Sequence, residues 1–552
     1  MHLVLRAEGD DVVITPVGRD GSADGEVIEV PREAFPAEVA RLESQRPRWV
    51  WDDTTTWYPA LIAAGVRVER CVDLRLSHAI LRNSELTAAS ELARGDLTGW
   101  DQPASEMQAD DGLFSLEEAE LLDPIAEFAL QHQALESATE PARLRLLLAA
   151  ESAGALVAAE MQHAGLPWVA EVHERLLEDA LGPRPVAGEQ PAKLAAVGQR
   201  VRDAIDAPRV NLDSQHELLK ALQHAGLQVE STRQWDIMEL KHPVAAPLLE
   251  YKKLSRLFSA NGWHWLDQNV CDGRFHPDYV VGGVVTGRWA SKGGGGALQL
   301  PKQVRQAVVA DAGWRLVVAD ASQLEPRILA AMSGDAKMAK AGQAIDMYQA
   351  IVDSGAVATR DQAKVAMLGA MYGATTGESG RLMPGLTRAY PQAIGLVESA
   401  ARAGERGESV TTWLGRSSPK PGAEWREAQS RASSEDATES DVRRARGDAR
   451  SWGRFTRNFV VQGTAAEWAM AWMASLRLKL WAIGGSAWLT DAPHLVFFLH
   501  DEIVVHTPEE HTEAVVNAIR DSAADASRLL FGSTPVDFPL AIAPVTTYAD
   551  AK

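Results

Sequence analysis

The sequence predicts a multidomain protein of mixed α and β structure, with an α/β region at the N-terminus and a longer helix-rich region after it. A length of 552 residues suggests more than one domain. Short strand-like runs alternate with helical patterns as far as about residue 140, which is typical of an α/β domain. Long helical patterns follow, and two apolar runs, at 316–319 and 495–507, predict buried strands among them.

The composition is that of a globular protein, with 46% hydrophobic and 24% charged residues. Only Cys71 and Cys271 are present, so no disulfide framework is predicted and a reducing compartment fits. No run of about 18 uncharged apolar residues occurs, and we therefore expect no membrane span. The net charge is −20, so any contact with nucleic acid must depend on local clusters of Lys and Arg.

The first region, residues 1–140, predicts four short strands and two helices. The strands are expected at Leu3–Leu5, Val12–Thr15, Val27–Val30 and Trp49–Trp51, and the helices at Pro36–Glu43 and Tyr58–Ala64. An acidic linker is expected from Asp101, with an amphipathic helix after it. The long helical patterns of the remaining chain begin at Pro141.

A strand at Leu316–Ala319 is predicted to carry Asp320 at its C-terminal end, with a helix from about Gln323. Pro326 falls in the first helical turn, where a missing N–H costs little. The turn therefore brings four polar side chains close together, those of Asp320, Ser322, Gln323 and Glu325. Arg327 lies on the helix behind them. A single carboxylate at a strand end is most often a helix cap, so this stretch alone does not predict catalysis.

His500, Asp501 and Glu502 lie between two apolar strands within Leu495–Thr507. A tight hairpin with a polar tip is the commoner use of such a pattern. Such turns usually contain Asn-Gly or Asp-Gly, however, and the flanks here have no Gly or Pro near the tip. If the tip lies beside Asp320, two carboxylates from separate strands meet. Such a pair suits two Mg²⁺ ions that clamp the attacking and leaving oxygens of a phosphoryl transfer.

Four side chains in a third stretch lie at successive steps of four: Arg360, Lys364, Leu368 and Tyr372. Each step advances about 400° around a helix, so all four share one face. The first half of that face is cationic and the second half apolar and aromatic. A triphosphate could lie along the first half and a base or sugar against the second. The alternative is a solvated basic face beside an ordinary core.

Together the three stretches resemble motifs A, B and C of the family A DNA polymerases, the bacterial DNA polymerase I type. The first resembles D-x-S-Q-x-E-x-R, from Asp320 to Arg327. The second resembles R-x-x-x-K-x-x-x-[FY]-x-x-x-Y-G from Arg360, with Leu368 in place of the aromatic residue. The third is the H-D-E at 500–502. The order along the chain agrees as well, and the resemblance covers about residues 145–552.

The resemblance implies a right-hand polymerase fold, with an antiparallel palm sheet and helical thumb and fingers, after an RNase H-like domain of the 3′–5′ exonuclease type. The implied boundaries are 1–140 for the exonuclease-like domain and 141–552 for the polymerase domain. Within the latter, the palm takes about 141–185, 274–335 and 454–552, the thumb 186–273 and the fingers 336–453.

Two segments depart from the family pattern. A charged insertion at 419–450 is nearly free of large aliphatic residues, so we expect a mobile loop or a solvent-exposed helix. A partner or DNA contact through its arginines is the alternative: Arg443, Arg444 and Arg446. A run of glycines, Gly293–Gly296, is not followed by the Gly-Lys-Ser/Thr that ends a phosphate-binding loop. We therefore expect a flexible loop near the primer or template.

An exonuclease of this type needs four acids to hold two metal ions, and the N-terminal region does not supply them. The opening strand has no D-x-E, and the position of the mid-domain Asp falls on Trp57. We interpret Asp52, Asp53 and Asp73 as turn and surface acids. We therefore expect an inactive exonuclease fold, with an active exonuclease as the alternative.

The resemblance also implies roles for individual residues. Asp320 and Asp501, with the carbonyl of Ala321, would hold two Mg²⁺ ions, and Glu502 would assist near them. The nucleotide would contact Gln323, Glu325, Arg360, Lys364, Leu368 and Tyr372. The DNA would contact Arg288, which belongs to the T-G-R at 286–288, and three basic residues on one helix, Lys252, Lys253 and Arg256. It would also contact Arg454, Asn458 and Gln462, which lie at steps of four, and His500 at the hairpin tip.

The implied function is template-directed addition of deoxynucleotides to a primer 3′-hydroxyl by a monomeric cytoplasmic enzyme associated with the nucleoid. Its partners would be primer-template DNA and dNTPs. A single-subunit RNA polymerase is one alternative, but the bulky Glu325 opposes it because a ribose 2′-hydroxyl must fit. A non-catalytic DNA-binding homologue is another, and the acids at both metal positions oppose it. A nuclease is the third, and the missing acids before residue 140 oppose it.

Overall fold

The structure is a computed structural model that describes residues 1–18, 20–102, 122–186, 188–292, 300–374 and 377–551. It forms two compact units. One consists of Met1–His163, Asp278–Ala290 and Val317–Ala543, and the other of Ala164–Pro277, Ser291–Leu316 and Pro544–Lys552. Most of the expected acidic linker and the glycine run lie outside the described residues.

The N-terminal stretch forms a mixed five-stranded sheet, and the α/β prediction for it is confirmed. The strands are β1 (His2–Glu8), β2 (Asp11–Val17), β3 (Ile28–Pro31), β4 (Arg48–Trp51) and β5 (Cys71–Asp73). They lie in the order β3-β2-β1-β4-β5. β1 pairs antiparallel with β2 and parallel with β4, and β4 pairs parallel with β5.

Helices cover both faces of this sheet, as the buried parallel strands require. They are α1 (Phe35–Glu43), α2 (Thr54–Ala63), α3 (Leu74–Asn83), α4 (Glu91–Arg94), α5 (Pro124–Glu136) and α6 (Pro141–Ala164). On one face, Leu3 and Leu5 belong to a buried cluster that also includes Leu156 of α6. On the other, Val4 and Val50 are buried with Phe128 of α5.

The second unit contains a small three-stranded sheet and six helices. Its elements are β6 (Leu166–Pro167), α7 (Ala170–Leu181), α8 (Ala192–Ala204), α9 (Gln215–His224), α10 (Gln234–Met238), α11 (Ala245–Asn261), α12 (Trp263–Asn269), β7 (Val270–Cys271) and β8 (Arg274–Phe275), with strand order β6-β8-β7. Trp168, Trp265 and Phe275 pack as aromatic pairs with ring centroids 5.0–5.9 Å apart. All residues of the predicted thumb, 186–273, belong to this unit.

The remaining chain builds a four-stranded sheet with helices beside it. Two short strands, β9 (Tyr279–Val280) and β10 (Ala290–Ser291), pair with each other. The strands that follow are β11 (Trp314–Ala321), β12 (His494–Leu499), β13 (Glu502–Pro508) and β14 (Leu540–Val545). The last four form one sheet in the order β12-β13-β11-β14. The predicted strands at 316–319 and 495–507 are confirmed.

The structure describes nine further helices in this part of the chain. They are α13 (Leu324–Ser333), α14 (Ala336–Ala341), α15 (Met347–Asp353), α16 (Arg360–Tyr372), α17 (Gly377–Ala389), α18 (Pro391–Glu405), α19 (Ala423–Ala432), α20 (Glu439–Gly484) and α21 (Thr512–Phe531). The indole N–H of Trp468 in α20 donates to Ser527 of α21 at 3.0 Å, and that of Trp472 donates to the carbonyl of Ile519 at 3.2 Å. These bonds hold the two long helices together.

The charged insertion forms an exposed helical hairpin, so the prediction of a solvent-exposed helix is confirmed. α19 contains no buried residue. The N-terminus of α20 is fixed by Thr438, whose side chain accepts from the N–H of Asp441, while the Asp441 carboxylate accepts from the N–H of Thr438. This reciprocal cap stabilises a helix start that has little core to pack against. Among the described residues, no helix is both long and apolar enough to cross a bilayer.

Candidate active site

Asp320 and Asp501 lie on neighbouring strands of the four-stranded sheet. β11 is buried from Leu316 to Ala319, and Asp320 follows where the strand becomes partly exposed. The N–H of Ala321 donates to the carbonyl of Asp501 at 2.9 Å, which places the end of β11 directly beside the turn between β12 and β13. The structure therefore places side by side the two backbone segments that carry Asp320 and Asp501.

The hairpin tip is shorter than the sequence predicted. Leu499 and Glu502 pair across β12 and β13, so His500 and Asp501 alone form the turn. His500 has a positive φ of 60°, which a two-residue turn of this kind requires. Glu502 belongs to the strand and is only 3% exposed. The prediction that Glu502 lies at the tip is wrong by one residue, because the strand pairing begins with it.

The predicted helix start after Asp320 is confirmed. α13 begins at Leu324, and Gln323 before it adopts the left-handed conformation with φ of 58°. The Gln323 amide donates to Asp346 Oδ1 at 2.9 Å and accepts from the N–H of Met347 at 2.8 Å. Arg327 is completely buried and donates to several carbonyl oxygens, those of Ser322, Gly342, Ala344, Ile345 and Asp537. Arg327 thus supports the turn that carries the candidate site.

The cationic and apolar face predicted on α16 is confirmed as a solvent-facing surface. Arg360 and Lys364 are exposed, and Leu368 and Tyr372 follow them with 37% and 39% exposure. Arg360 Nε donates to Asp346 Oδ2 at 2.6 Å. Lys364 makes no ion pair within the described part of the chain. The N-terminal half of the face therefore presents one paired and one unpaired cation.

Glu325, Tyr372 and Arg288 converge from three separate segments. The Tyr372 hydroxyl donates to Glu325 Oε2 at 2.9 Å, and Arg288 Nη2 donates to Glu325 Oε1 at 2.6 Å. Burial, followed by the negative charge of Glu325, raises the pKa of Tyr372 to about 12, and Gln462 also hydrogen-bonds to this hydroxyl. Burial and then the charge of Arg288 lower the pKa of His500. Five of the predicted site residues thus lie close together: Arg288, Glu325, Tyr372, Gln462 and His500.

Arg454, Asn458 and Gln462 lie on one face of α20, as their spacing predicted. Arg454 is exposed, and the other two are partly exposed. Gly373, directly after α16, has φ of 73°, and a Cβ there would lie 2.7 Å from Cγ of Arg454. The close approach of α16 to this face of α20 therefore requires a glycine at position 373.

The basic residues of α11 belong to the second unit and differ in their surroundings. Lys253 and Arg256 are exposed, whereas Lys252 is only partly exposed. Lys252 Nζ donates to the carbonyl of Thr232 at 2.7 Å, and burial lowers its pKa. Lys252 therefore stabilises its own unit, and Lys253 with Arg256 remains the better candidate for contact with a phosphate backbone.

The three acids near the N-terminal sheet each hold local structure. Asp52 accepts from Trp57 Nε1 at 2.6 Å, and Asp53 caps α2 by accepting from the N–H of Thr55. Asp73 accepts from the N–H and hydroxyl of Thr54 at 2.8 and 2.7 Å. Asp73 is only 2% exposed, and burial raises its pKa to about 7. The prediction of a surface acid is wrong for Asp73, because β5 carries it into the core.

A buried cluster behind the site was not predicted. Thr412 and the N–H of Leu414 bond to the two carboxylate oxygens of Glu467, and Arg416 forms an ion pair with Glu151. Burial raises the pKa of Glu467 to about 7 and lowers that of Arg416 to about 10. Gly287 approaches Arg416 so closely that a Cβ would lie 2.6 Å from Nε. The sequence motif T-T-W-L-G-R thus fixes the backbone next to Arg288.

Two carboxylates and a backbone carbonyl on adjacent strand ends supply the oxygen ligands that Mg²⁺ prefers. Within the described residues, no group of three or more His, Cys, Asp or Glu side chains is arranged to hold a metal ion. A site of two carboxylates fits an ion that keeps several waters and shares substrate phosphates as ligands. The donors Asp320, Asp501 and Ala321 are therefore compatible with the predicted metal.

This chain belongs to DNA polymerase family A, whose profile it matches over residues 186–543, more than half of its length. It is 26% identical over 407 residues to DNA polymerase I of Chloroflexus aurantiacus, a match that covers 68% of this chain and 39% of that protein. It is 27% identical over 336 residues to the thermostable DNA polymerase I of Thermus filiformis, covering 54% of this chain and 35% of that protein. The chain thus spans less than half the length of these relatives.

The fold is similar to a solved structure described as the POL domain of Pol1 from M. smegmatis in complex with DNA primer-template and dNTP. The TM-score is 0.66 at 18% sequence identity, and the match covers 100% of this chain and 95% of that one. The predicted mixed α and β fold of a family A polymerase is therefore confirmed. The assignment of the N-terminal stretch to an exonuclease-like fold stays a prediction.

Proposed function

We propose that this protein is a template-directed DNA polymerase that adds deoxynucleotides to a primer 3′-hydroxyl. The observation that carries the proposal is the placement of Asp320 near the end of β11, beside the turn that contains Asp501; the N–H of Ala321 donates to the carbonyl of Asp501. The reaction forms a bond between the 3′-oxygen and the α-phosphorus of the dNTP, and breaks the bond from that phosphorus to the pyrophosphate, which leaves. The proton of the 3′-hydroxyl is released to solvent.

Asp320, Asp501 and the carbonyl of Ala321 would hold two Mg²⁺ ions, which when bound lower the pKa of the primer hydroxyl and neutralise charge on the triphosphate. Glu502 lies buried next to Asp501 and would shape the electrostatic surroundings of these ligands. Two acids at one site repel each other, so the same pair would be costly without cations between them.

The exposed face of α16 would bind the incoming nucleotide. Arg360 and Lys364 would hold the β- and γ-phosphates, since both are cations on the solvent side of the helix. Leu368 and Tyr372 would pack against the sugar and base, and Glu325 would close the pocket beside the sugar 2′-position. Gln323 would position this wall by its bonds to Asp346 and Met347.

Primer-template DNA would pass along Arg288 and the face of α20 that carries Arg454, Asn458 and Gln462, with His500 at the hairpin tip. Donors at such positions can bond to the minor-groove acceptors that all correct base pairs share, so they reward correct shape without reading sequence. In the second unit, Lys253 and Arg256 would contact the phosphate backbone. Because Lys and Arg would neutralise phosphates and release counterions, we expect DNA affinity to fall as salt rises.

For the N-terminal stretch, residues 1–140, we propose an exonuclease-like fold without exonuclease activity. The mixed five-stranded sheet supports the fold. The local roles of Asp52, Asp53 and Asp73 support the lack of activity, since each carboxylate already bonds to nearby groups. Residues 141–552 would form the polymerase domain, with thumb, palm and fingers divided as the family pattern implies.

Primer extension tests the proposed function. A 5′-labelled primer on a longer template would be incubated with Mg²⁺, with or without dNTPs, beside the Asp320→Asn and Asp501→Asn variants. We expect extension by the parent only, and no shortening without dNTPs. Asp521→Asn removes an exposed carboxylate on α21, away from the proposed site residues, and serves as the matched control, with activity retained. No extension by the parent would contradict the polymerase proposal, and shortening without dNTPs would contradict the inactive N-terminal fold.

A further inference from the structure

A cavity of about 870 Å³ lies beside the N-terminal sheet, between the sheet and the helices α5 and α6. Arg48 at the start of β4, Arg70 directly before β5 and Ser77 of α3 contribute to its wall. Its volume falls within the range of about 300–1,000 Å³ that small-molecule sites occupy. No residue of the candidate active site lines this cavity.

Two guanidinium groups in the wall donate to backbone carbonyls, and one of them, Arg70, also lies near the negative charge of Glu69. Arg48 Nη1 reaches only the carbonyl of Cys71, at 3.4 Å. Arg70 donates to the carbonyls of Pro47 and Arg46 at 3.4 and 2.7 Å. Within the described residues, neither Arg48 nor Arg70 forms an ion pair with a carboxylate, although the net charge of the chain is −20. Arg48 and Arg70 lie near each other on β4 and beside β5, since the N–H of Trp49 donates to the carbonyl of Arg70 at 3.2 Å. Burial and then the charge of Arg70 lower the pKa of Arg48.

Ser77 supplies a second, independent sign of a ligand. Its side chain is only 1% exposed, and within the described residues its hydroxyl oxygen makes no hydrogen bond. Buried hydroxyls are usually hydrogen-bonded, and a buried one without a partner costs free energy. A polar ligand atom in the cavity would satisfy it.

Two aromatic rings also line the cavity, and one of them, His2, pairs with Arg48 across β1 and β4. The rings of His2 and Phe128 pack with centroids 5.1 Å apart and both line the cavity. Flat heterocycles stack on such rings, and stacking of a base on an aromatic side chain is sequence-tolerant and favourable. The cavity lining thus contains both guanidinium groups and rings on which a planar group could stack.

We propose that this cavity binds a small phosphorylated ligand that carries a planar ring, of the size of a nucleoside monophosphate. The phosphate would bond to Arg48 and Arg70, since guanidinium groups match phosphate oxygens in geometry. The ring would stack against Phe128 and His2, and a polar atom would reach Ser77. The site is separate from the proposed dNTP site on α16 and does not depend on polymerase activity.

Titration calorimetry on the full chain with EDTA present tests the proposal, with three ligands: dAMP, deoxyribose 5-phosphate and inorganic phosphate. We expect dAMP to bind more tightly than either of the others, because only dAMP offers both phosphate and ring. Arg48→Ala should weaken dAMP binding about tenfold or more. Arg360→Ala should leave it unchanged, which separates the cavity from the proposed polymerase site. Equal affinities for dAMP and phosphate would overturn the role of the aromatic wall.

A second variant keeps the test decisive if Arg48→Ala fails to fold. Ala149 of α6 lines the same cavity, and Ala149→Phe fills space there without removing a charge. We expect it to abolish dAMP binding, while the melting temperature without ligand and the extent of primer extension stay as in the parent. No heat with dAMP at millimolar concentration, or binding that Ala149→Phe leaves intact, would overturn the proposal.

Discussion

The hydroxyl of Tyr372 donates a hydrogen bond to Oε2 of Glu325 at 2.9 Å, and this joins the end of α16 to the first turn of α13. Arg288 holds the other carboxylate oxygen at 2.6 Å. The Glu325 side chain is therefore fixed from two sides. A fixed carboxylate makes a rigid wall for a sugar, and the wall has consequences for nucleotide choice.

We expect Glu325→Ala to increase the use of ribonucleotides relative to deoxynucleotides by about tenfold or more, equivalent to ~1.4 kcal/mol of lost discrimination. The reason is that removal of the carboxylate opens space for a 2′-hydroxyl. The measurement is kcat/KM for rATP and dATP in single-nucleotide extension. Glu325→Gln keeps the volume of the side chain and should keep most of the discrimination. Equal ratios in parent and Glu325→Ala would contradict the proposed sugar wall.

Leu368 leads to a second prediction, because it stands where the family has an aromatic ring. We expect Leu368→Phe to lower the use of dideoxynucleotides relative to deoxynucleotides, since a ring packed on the sugar makes binding more sensitive to the missing 3′-hydroxyl. Competition between ddNTP and dNTP in primer extension measures the ratio. Val365→Phe adds the same ring off the line of Arg360 and Leu368, and it should leave the ratio as in the parent. A shift with Val365→Phe alone would count against this placement.

Asp346 restrains a cation of the proposed triphosphate site. Its burial acts to raise its pKa, but the hydrogen bonds from Arg360, Gln323 and the N–H of Gln349, with the charge of Arg360, together hold the pKa of Asp346 below the ordinary value. We expect Asp346→Asn to lower KM for dNTPs by about two- to tenfold, because the neutral amide releases Arg360 for the phosphates. The amide can still cap α15. Asp353→Asn removes one charge from the same helix and is the control. A raised KM in Asp346→Asn would mean that the ion pair positions Arg360 productively.

Glu160 joins the N-terminal sheet region to two long helices. It accepts hydrogen bonds from Tyr58 and Arg67, and from Arg477 of α20. We expect Glu160→Ala to lower the free energy of unfolding by about 3–5 kcal/mol, because two buried cations lose their counter-charge. Glu427→Ala breaks an exposed pair with Arg431 and should cost about 0–0.5 kcal/mol. Urea unfolding measures both, and equal small losses would contradict the buried cluster.

The same residue gives a pH dependence. Burial acts to raise the pKa of Glu160, but Arg477 and Arg67 outweigh it and lower the pKa from 4.5 to about 2. A lowered folded-state pKa means that the stabilisation is present above the ordinary value and is lost as the pH falls through the folded value. Between about pH 5 and pH 3 the parent should therefore lose more stability than Glu160→Gln. Parallel curves for the two proteins would contradict the low pKa.

The face of α16 and the turn after β11 could be predicted because each follows from a local rule. Steps of four place Arg360 and Tyr372 on one helix face, and a buried apolar strand ends where Asp320 becomes exposed. The hydrogen-bond partners of Glu467 and Asp346 could not be predicted in this way. Thr412 and Glu467 are 55 positions apart, and Asp346 lies 14 positions before Arg360. Such pairs depend on the packing of helices against one another, and single-sequence periodicity carries no signal for it.

The helix α20 has 46 residues, a length of about 69 Å, with the charged insertion at its start and the residues proposed to face DNA further along. Because the insertion lengthens the helix at its N-terminal end, residues can be added or removed there without rotating Arg454, Asn458 and Gln462 about the helix axis. The length and sequence of the exposed N-terminal end of α20 can thus change while the orientation of the residues proposed to face DNA stays the same.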